Sequence, residues 1–230
     1  LERRAGPPLA RLVPLQPMRW EDGWPVMGED YDGNGVGEPV ARWKKPAAAQ
    51  ASKRELPASS DEFKEGKLGL QWQFNHNPKD EGWSVTRKKG RLAIDGGKAF
   101  TLWDARNTLS QKIMGYEGAY DVQVDLDDLA DGQKAGLACL GREFFCIGVR
   151  QTPDGREVFF EKNGGVLKTE AWTARTIRLR LSFDVNAEEN GFSFSYSRDG
   201  KTFEPFGDAF AAHNGFWKGA RVALVSYNTE

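Results

Sequence analysis

Regular alternation of apolar and polar residues constrains this sequence more than any other feature. Apolar side chains occupy every second position in three runs, at residues 120–127, 177–183 and 192–197. A β-strand points successive side chains to opposite faces, so this period indicates strands with one face in a core and the other in water. The pattern predicts antiparallel sheets.

Tight-turn dipeptides separate strand-like runs. They are Asp154-Gly155, Asn163-Gly164 and Asp199-Gly200, residue pairs that favour short hairpin turns. No stretch sustains a helical period over several turns, and 26 Gly, 14 Phe and 8 Trp stand beside only 3 Met. Many short strands at this spacing indicate an all-β domain, either a β-sandwich or a jelly roll.

Charge and hydropathy exclude two classes of partner. The 230 residues carry 32 Lys and Arg against 33 Asp and Glu, a formal net charge of −1. A protein that binds nucleic acid would be strongly basic on at least one face. No run approaches the roughly 18 consecutive apolar residues of a membrane helix. We therefore expect neither nucleic acid nor a membrane as a partner.

Composition divides the chain into three parts. Residues 1–46 are rich in Pro and Gly, and their tryptophans need another surface to cover them. Residues 47–59 have the composition of a linker, and residues 60–230 carry the strand pattern. The sequence starts at Leu1 with no apolar signal core behind it, which is expected of a processed product or of part of a longer chain.

Cys139 and Cys146 are the only cysteines, too few for a disulfide framework. They flank a predicted hairpin. A four-residue loop would place them opposite each other, whereas a two-residue turn at Gly141-Arg142 would leave them diagonal and too far apart to bond. Two buried free thiols are the favoured interpretation, which leaves the cellular compartment open.

Asp30, Asp32 and Asn34 stand at the spacing of the first three oxygen ligands of a calcium-binding loop, with a Gly at the sixth position. The twelfth position, however, is Ala41, where a bidentate Glu belongs. A turn rich in Asp, Asn and Gly is therefore the favoured interpretation. A loose calcium site at the three oxygen ligands is the alternative.

Catalytic motifs are weak in this sequence. The two histidines, His76 and His213, lack metal-ligand spacing, and no Gly-x-Ser-x-Gly nucleophile motif is present. The densest acidic cluster is Asp125, Asp127 and Asp128. Because these residues alternate with apolar ones, a solvated strand face is favoured over a glycosidase-like carboxylate pair, which stays open.

Aromatic and amide side chains concentrate between residues 71 and 111. Sugars stack on aromatic rings while amides and Arg bind their hydroxyl groups, so this mixture suits a carbohydrate site. The candidate ligands are Trp83, Asn75, Asn77, Arg106, Gln73 and Trp72. Burial of the rings in the core is the alternative, and for Trp72 it is the favoured one.

Several motifs in this region resemble one family. They include Leu-Gly-Leu-Gln-Trp-Gln-Phe-Asn-His-Asn-Pro at residues 68–78, Ala-Arg-Asn-Thr-Leu-Ser-Gln at residues 105–111, and shorter matches at residues 60–63, 83–85, 90–92, 135–138 and 196–203. They resemble the C-terminal β-sandwich of family 43 glycoside hydrolases, the β-xylosidase and α-L-arabinofuranosidase group, also classed as carbohydrate-binding module family 91. Residues 13–26 and 35–40 resemble the segment that leaves the family's catalytic propeller.

The resemblance implies a concanavalin A-like β-sandwich (jelly roll), preceded by an irregular, aromatic-rich N-terminal segment. The family's catalytic acids lie in a five-bladed propeller that this sequence lacks, so no catalytic residue is expected here. Related sandwiches often hold a structural calcium between their first and last strands, which makes Asp61 a candidate ligand. The family's last strand is expected to be missing after residue 230.

The family implies two roles for such a sandwich, and the first is preferred. It would be a non-catalytic module that binds xylan or xylo-oligosaccharides. Alternatively, it would be a structural module that packs on a family 43 propeller, in the same or a neighbouring chain, and completes the active site. A third hypothesis, hydrolysis by Asp125 or Asp127, rests on analogy of fold alone.

Overall fold

The computed structural model describes residues 15–44, 56–187, 191–215 and 218–230. The chain divides into two compact units, one formed by Leu12–Leu56 and the other by Leu1–Arg11 with Pro57–Glu230. Most of the linker predicted at residues 47–59 lies outside the described residues. No helix within these ranges is long and apolar enough to cross a membrane.

The larger unit contains strands and two short 3-10 helices within its described residues. The strands are β3 (Gln73–Phe74), β4 (Trp83–Ser84), β5 (Ala93–Ile94), β6 (Gly97–Lys98), β7 (Leu109–Lys112), β8 (Glu117–Asp125), β9 (Gln133–Leu140), β10 (Phe144–Thr152), β11 (Gly155–Lys162), β12 (Gly165–Trp172), β13 (Thr176–Asp184), β14 (Phe192–Ser197), β15 (Glu204–Pro205) and β16 (Arg221–Asn228). The helices are η1 (Asp80–Gly82) and η2 (Leu102–Asp104).

These strands form a sandwich of two sheets. The larger sheet has eight strands in the order β12-β11-β10-β9-β16-β7-β3, with β6 beside β16. The smaller has four, in the order β15-β14-β13-β8, and β4 pairs separately with β5. The predicted β-sandwich is thus confirmed. The prediction that a further strand of the family is missing stays untested.

The main core lies between the two sheets. Leu137, Ile147 and Val158 from the large sheet pack with Leu179 and Phe194 from the small one. The outer face of the small sheet is wet, as the alternation predicts, and carries ion pairs such as Arg180 with Asp121 (2.6 Å). One buried and one solvated face therefore explain the period of two.

The second face of the large sheet is also buried over much of its area. Phe144, Phe159 and Tyr227 on this face pack with Leu102 and Ala105, which belong to the segment around η2. Because η2 covers the sheet, its central strands carry apolar side chains on both faces and show no clear alternation.

The smaller unit contains a β-hairpin of strands β1 (Met18–Glu21) and β2 (Trp24–Met27). Its turn residues Asp22 and Gly23 have φ values of 50° and 84°, the left-handed conformation that an Asp-Gly hairpin turn requires. This segment was expected to be irregular. The Asp22-Gly23 dipeptide was the signal that could have indicated the hairpin.

Both cysteines are buried free thiols, as predicted. Cys139 pairs with Phe145 and Cys146 with Ala138 across the β9–β10 hairpin, which places the two sulfur atoms on opposite faces of the sheet. Cys139 lies in the inter-sheet core and Cys146 under η2. Burial raises the pKa of Cys139 to about 12 and raises that of Cys146 as well.

A buried ion pair, formed by Lys134 and Glu161, lies beside Cys146. Lys134 Nζ lies 2.6 Å from Glu161 Oε2, and the two side chains are 7% and 0% exposed. Tyr227 Oη donates a hydrogen bond of 2.6 Å to the other carboxylate oxygen. The lysine also lies 5.1 Å from the Phe159 ring centroid. Each charge is neutralised by its partner, so removal of one partner would leave the other charge unpaired in the core.

We predict that neither thiol of the folded chain reacts with a disulfide reagent at pH 8, because burial keeps both protonated and covered. Both should react at once in denaturant. The measurement is the release of thionitrobenzoate with and without urea. Rapid reaction of either thiol in the native chain would contradict the buried arrangement.

We predict that Lys134→Ala lowers the free energy of unfolding by about 3–5 kcal/mol, because Glu161 is left without its cation. The control is Lys201→Ala, an exposed lysine, for which a change within about 0.5 kcal/mol is expected. Urea unfolding followed by tryptophan fluorescence measures both. Equal effects of the two variants would show that the buried pair adds nothing.

Candidate functional site

Trp72 and Trp83, the predicted sugar-stacking residues, pack within the larger unit. Trp72 stacks on Phe63 with ring centroids 5.8 Å apart, and its Nε1 donates a hydrogen bond to Asp61 (2.9 Å). The Trp83 ring lies 5.0 Å from that of Phe74. Its Nε1 is buried with no acceptor among the described residues. Both rings are half-buried. The contacts of Trp72 with Phe63 and Asp61 fix its ring against the domain.

The predicted polar ligands lie close together, but several of them already form hydrogen bonds with other residues of the domain. The Arg106 guanidinium donates to the Asn77 carbonyl oxygen from Nε (3.3 Å) and Nη2 (3.2 Å). Asn75 donates its backbone N–H to the Thr108 carbonyl oxygen at 3.0 Å. These contacts tie residues 75–77 to the segment that follows η2.

Gln73, another predicted ligand, has a partner in the sheet. Its Oε1 accepts a hydrogen bond of 2.7 Å from Arg221 Nη1, and its backbone carbonyl accepts one from Ser110 Oγ (2.9 Å). His76 Nε2 contacts the carbonyl oxygen of Trp103. The predicted polar cluster is therefore connected to two residues, Trp103 and Arg221, that were not predicted.

These two residues lie at an open cleft of about 460 Å³ in the larger unit. Among the described residues its lining combines one aromatic ring, one Leu, three cations and three small residues: Trp103, Leu140, Arg142, Lys218, Arg221, Gly141, Gly215 and Gly219. This volume lies in the range of small-molecule sites, which are apolar pockets with a few polar groups. The cleft is the candidate functional site, which we call the Trp103 cleft.

Three elements hold the walls of the Trp103 cleft. Trp103 belongs to η2, where Thr101 and Asp104 form a capping box, and its ring meets Phe144 edge-on at 5.5 Å. Gly141 lies in the β9–β10 turn, where an added Cβ would come within 2.1 Å of the His213 carbonyl oxygen. Only glycine therefore allows this turn to approach the chain before β16.

Arg221 is the most constrained cation of the cleft. It begins β16 and is 6% exposed. Its Nε donates to Ser110 Oγ at 3.0 Å and its Nη2 reaches the Ser110 carbonyl at 3.5 Å. Burial lowers the pKa of Arg221, because desolvation disfavours the charged form.

The acidic cluster at the end of β8 is engaged in ion pairs. Asp125 pairs with Arg91, and Asp127 receives two hydrogen bonds from Arg175, at 2.8 and 2.6 Å. The Arg175 guanidinium lowers the pKa of Asp127. A glycosidase general acid needs a raised pKa, so this environment does not support hydrolysis by Asp127.

The predicted calcium ligands also have hydrogen-bond partners. The Asp30 carboxylate accepts from the backbone N–H groups of Gly33 (2.8 Å), Asn34 (3.1 Å) and Gly35 (2.9 Å). The Asp32 carboxylate accepts from the Asn34 side-chain amide (3.0 Å). Such contacts are typical of turns rich in Asp and Asn. Backbone hydrogen bonds, led by that from Gly35, lower the pKa of Asp30.

Asp61, the other candidate calcium ligand, bonds to Trp72 and to the backbone N–H of Phe63 (2.7 Å). Within the described ranges, no three His, Cys, Asp or Glu side chains gather as a metal site would require. Calcium at Asp61, or at Asp30, Asp32 and Asn34, stays a prediction.

Four residues of the cleft were missed because the fold assembles them. Trp103, Arg142, Lys218 and Arg221 come from three separate parts of the sequence. The only local signal was the run of Gly, aromatic and cationic residues at 215–221. The residues that the sequence pattern indicated form the neighbouring polar cluster instead.

Comparison with known proteins agrees with this architecture. The family model of the β-xylosidase C-terminal concanavalin A-like domain matches residues 60–230. A putative β-xylosidase of Xylanibacter ruminicola is 40% identical over 96% of this chain and 40% of its own length. A β-xylosidase of Formosa agariphila is 33% identical over 93% of this chain and 39% of its own length.

Solved structures give the same result. A bifunctional GH43-CE protein of Bacteroides eggerthii has a TM-score of 0.70 and 26% identity, and the match covers 94% of this chain and 28% of that one. The chain spans about two fifths of the length of the curated β-xylosidases that it matches. Its sandwich belongs to the family of β-xylosidase C-terminal concanavalin A-like domains found in family 43 glycoside hydrolases.

Proposed function

We propose that this chain is the accessory sandwich module of a family 43 glycoside hydrolase and that it packs against the enzyme's catalytic domain to complete the substrate pocket. The chain spans about two fifths of its β-xylosidase relatives. In this proposal the remaining part of such an enzyme supplies the catalytic acids, and the present chain contributes none.

The β1–β2 hairpin carries this proposal. Met18 pairs with Met27 and Trp20 with Pro25, and directly opposed residues of an antiparallel pair lie on the same face. Met18, Trp20 and Met27 are 53%, 66% and 67% exposed. We call Met18, Trp20, Pro25 and Met27 the apolar hairpin face.

An exposed apolar face of this kind indicates a protein contact. Burial of each large side chain there would contribute about 1.5–3 kcal/mol of hydrophobic free energy. The opposite face is mixed: the Arg19–Glu21 ion pair lies there, beside Trp24, which is 75% exposed. The asymmetry favours docking through the apolar hairpin face. In the sequence the hairpin precedes the sandwich and overlaps residues 13–26, which resemble the segment that leaves the family's catalytic propeller.

A second candidate function, binding of a xylan chain, is favoured by the Trp103 cleft. The cleft combines a half-buried indole with the cationic donors Arg142, Lys218 and Arg221. This is the mixture of ring and polar groups that a sugar requires. The predicted ligands Asn75 and Asn77 flank His76, whose Nε2 contacts the Trp103 carbonyl oxygen, and Arg106 donates to the Asn77 carbonyl.

We predict that Trp20→Ala weakens association with the catalytic domain by about 30-fold, the effect of losing an interface tryptophan worth about 2 kcal/mol. The matched control is Trp24→Ala, the same change on the opposite face of the hairpin, for which less than about threefold is expected. The measurement is titration calorimetry with the part of the Xylanibacter ruminicola relative that precedes its matching region.

Hydrolysis of 4-nitrophenyl β-D-xyloside by that catalytic part, with and without the chain, provides a second readout. The chain should raise this activity, and Trp20→Ala should raise it less at the same concentration. No association, or equal losses in the two tryptophan variants, would contradict docking through the apolar hairpin face.

For the second candidate, we predict that the chain is depleted from solution by insoluble xylan but not by cellulose, and that Trp103→Ala abolishes the depletion. Trp83→Ala is the comparison, because the sequence alone favoured that residue. Thermal unfolding of both variants verifies that they fold. Loss in Trp83→Ala alone would place the site at the sequence-predicted cluster, and no depletion of the wild type would exclude xylan binding.

A further inference from the structure

We propose that the Trp103 cleft recognises an acidic sugar, namely the carboxylate of a uronic acid unit attached to a hemicellulose chain. The inference rests on the proposed sugar-binding role of the cleft and adds a charge requirement to it. Arg221 and Lys218 would bind the carboxylate, and Trp103 would contact the neighbouring sugar ring.

The charge of the lining is the first observation. Its charged members, Arg142, Lys218 and Arg221, are all cations, whereas the whole chain is nearly neutral. Lys112 lies directly opposite Arg221 on the adjacent strand. Two acids adjoin lining residues in the sequence: Glu143 bonds to Lys162 (3.0 Å) and to Asn163 (3.2 Å), and Asp104 bonds to Thr101. The cleft is therefore a local concentration of positive charge, which attracts anions.

The environment of Arg221 is the second observation. Its guanidinium is buried, yet its hydrogen bonds run to the neutral oxygens of Ser110 and Gln73. Among the described residues no carboxylate lies within ion-pair distance of it, in contrast to the buried Lys134 with Glu161. A buried charge is costly unless it is paired. A guanidinium has five N–H donors, and three are used here.

The dimensions and walls of the cleft favour a sugar acid over a protein carboxylate. Small-molecule sites occupy about 300–1,000 Å³, and the cleft is about 460 Å³. Gly141 and Gly215 line it without side chains, which leaves room for a ring beside the indole. A carboxylate also suits the planar fork of Arg, which can donate two parallel hydrogen bonds.

The test compares two oligosaccharides of similar size: xylotriose that carries one glucuronic acid side group, and neutral xylotetraose. Titration calorimetry of the full chain should give about tenfold tighter binding of the acidic ligand, the contribution of one charged hydrogen bond. High salt should reduce the difference. Trp103→Ala should weaken binding of both ligands.

Lys218→Glu should remove the preference for the acid, because the introduced carboxylate repels that of the ligand, and it should weaken binding of neutral xylotetraose much less. The matched control is Lys201→Glu, the same charge change at an exposed site outside the cleft, which should preserve the preference. Both lysines are exposed, so neither change should prevent folding. Arg221→Lys, which keeps the charge but not the fork, should reduce the preference in part.

The outcomes separate this inference from the role on which it rests. Equal binding of both ligands, lost in Trp103→Ala, would overturn the charge requirement and leave the sugar-binding role intact. Binding of neither ligand would overturn both. If neither sugar binds and Lys218→Glu instead weakens association with the relative's catalytic part, the cleft is a protein contact and the inference is wrong.

Discussion

Burial of the large sheet on both faces is the constraint on which the rest of the structure depends. One face packs on the small sheet, and the segment around η2 covers much of the other. Cys139 and Cys146, neighbours across a hairpin, are therefore both buried although they point in opposite directions. The Lys134–Glu161 pair is enclosed for the same reason, because charges under this cover must be satisfied by each other.

The candidate site follows from where that cover ends. η2 lies over Phe144 at the end of the β9–β10 hairpin, and beyond it the cleft opens between Trp103, the turn at Gly141 and the start of β16. The cover thus supplies the aromatic wall, and the sheet supplies Arg221. The apolar hairpin face belongs to the other unit of the chain and serves the proposed contact with a catalytic domain.

Sequence alone predicted the parts of the fold in which local patterns reflect tertiary burial. Alternation identified β8, β13 and β14, since each has one wet face, and the thiols were correctly expected to be free. The alternation gave a weaker signal for β9 and β10, because η2 covers the face of these strands that would otherwise be exposed to solvent. Trp72 is half-buried and held by Phe63 and Asp61, and its role in sugar binding stays a prediction. The cleft was missed because Trp103, Arg142 and Arg221 meet only in the folded chain.

We propose that the chain serves as an accessory module that docks through its hairpin. The decisive measurement is amide hydrogen exchange of residues 18–27, with and without the catalytic part of the Xylanibacter ruminicola relative. Docking through the apolar hairpin face should slow exchange in this hairpin when the catalytic part is present, while the exposed edge strand β12 (Gly165–Trp172) stays unchanged. Unchanged exchange in the hairpin at saturating concentrations of the catalytic part would contradict the account.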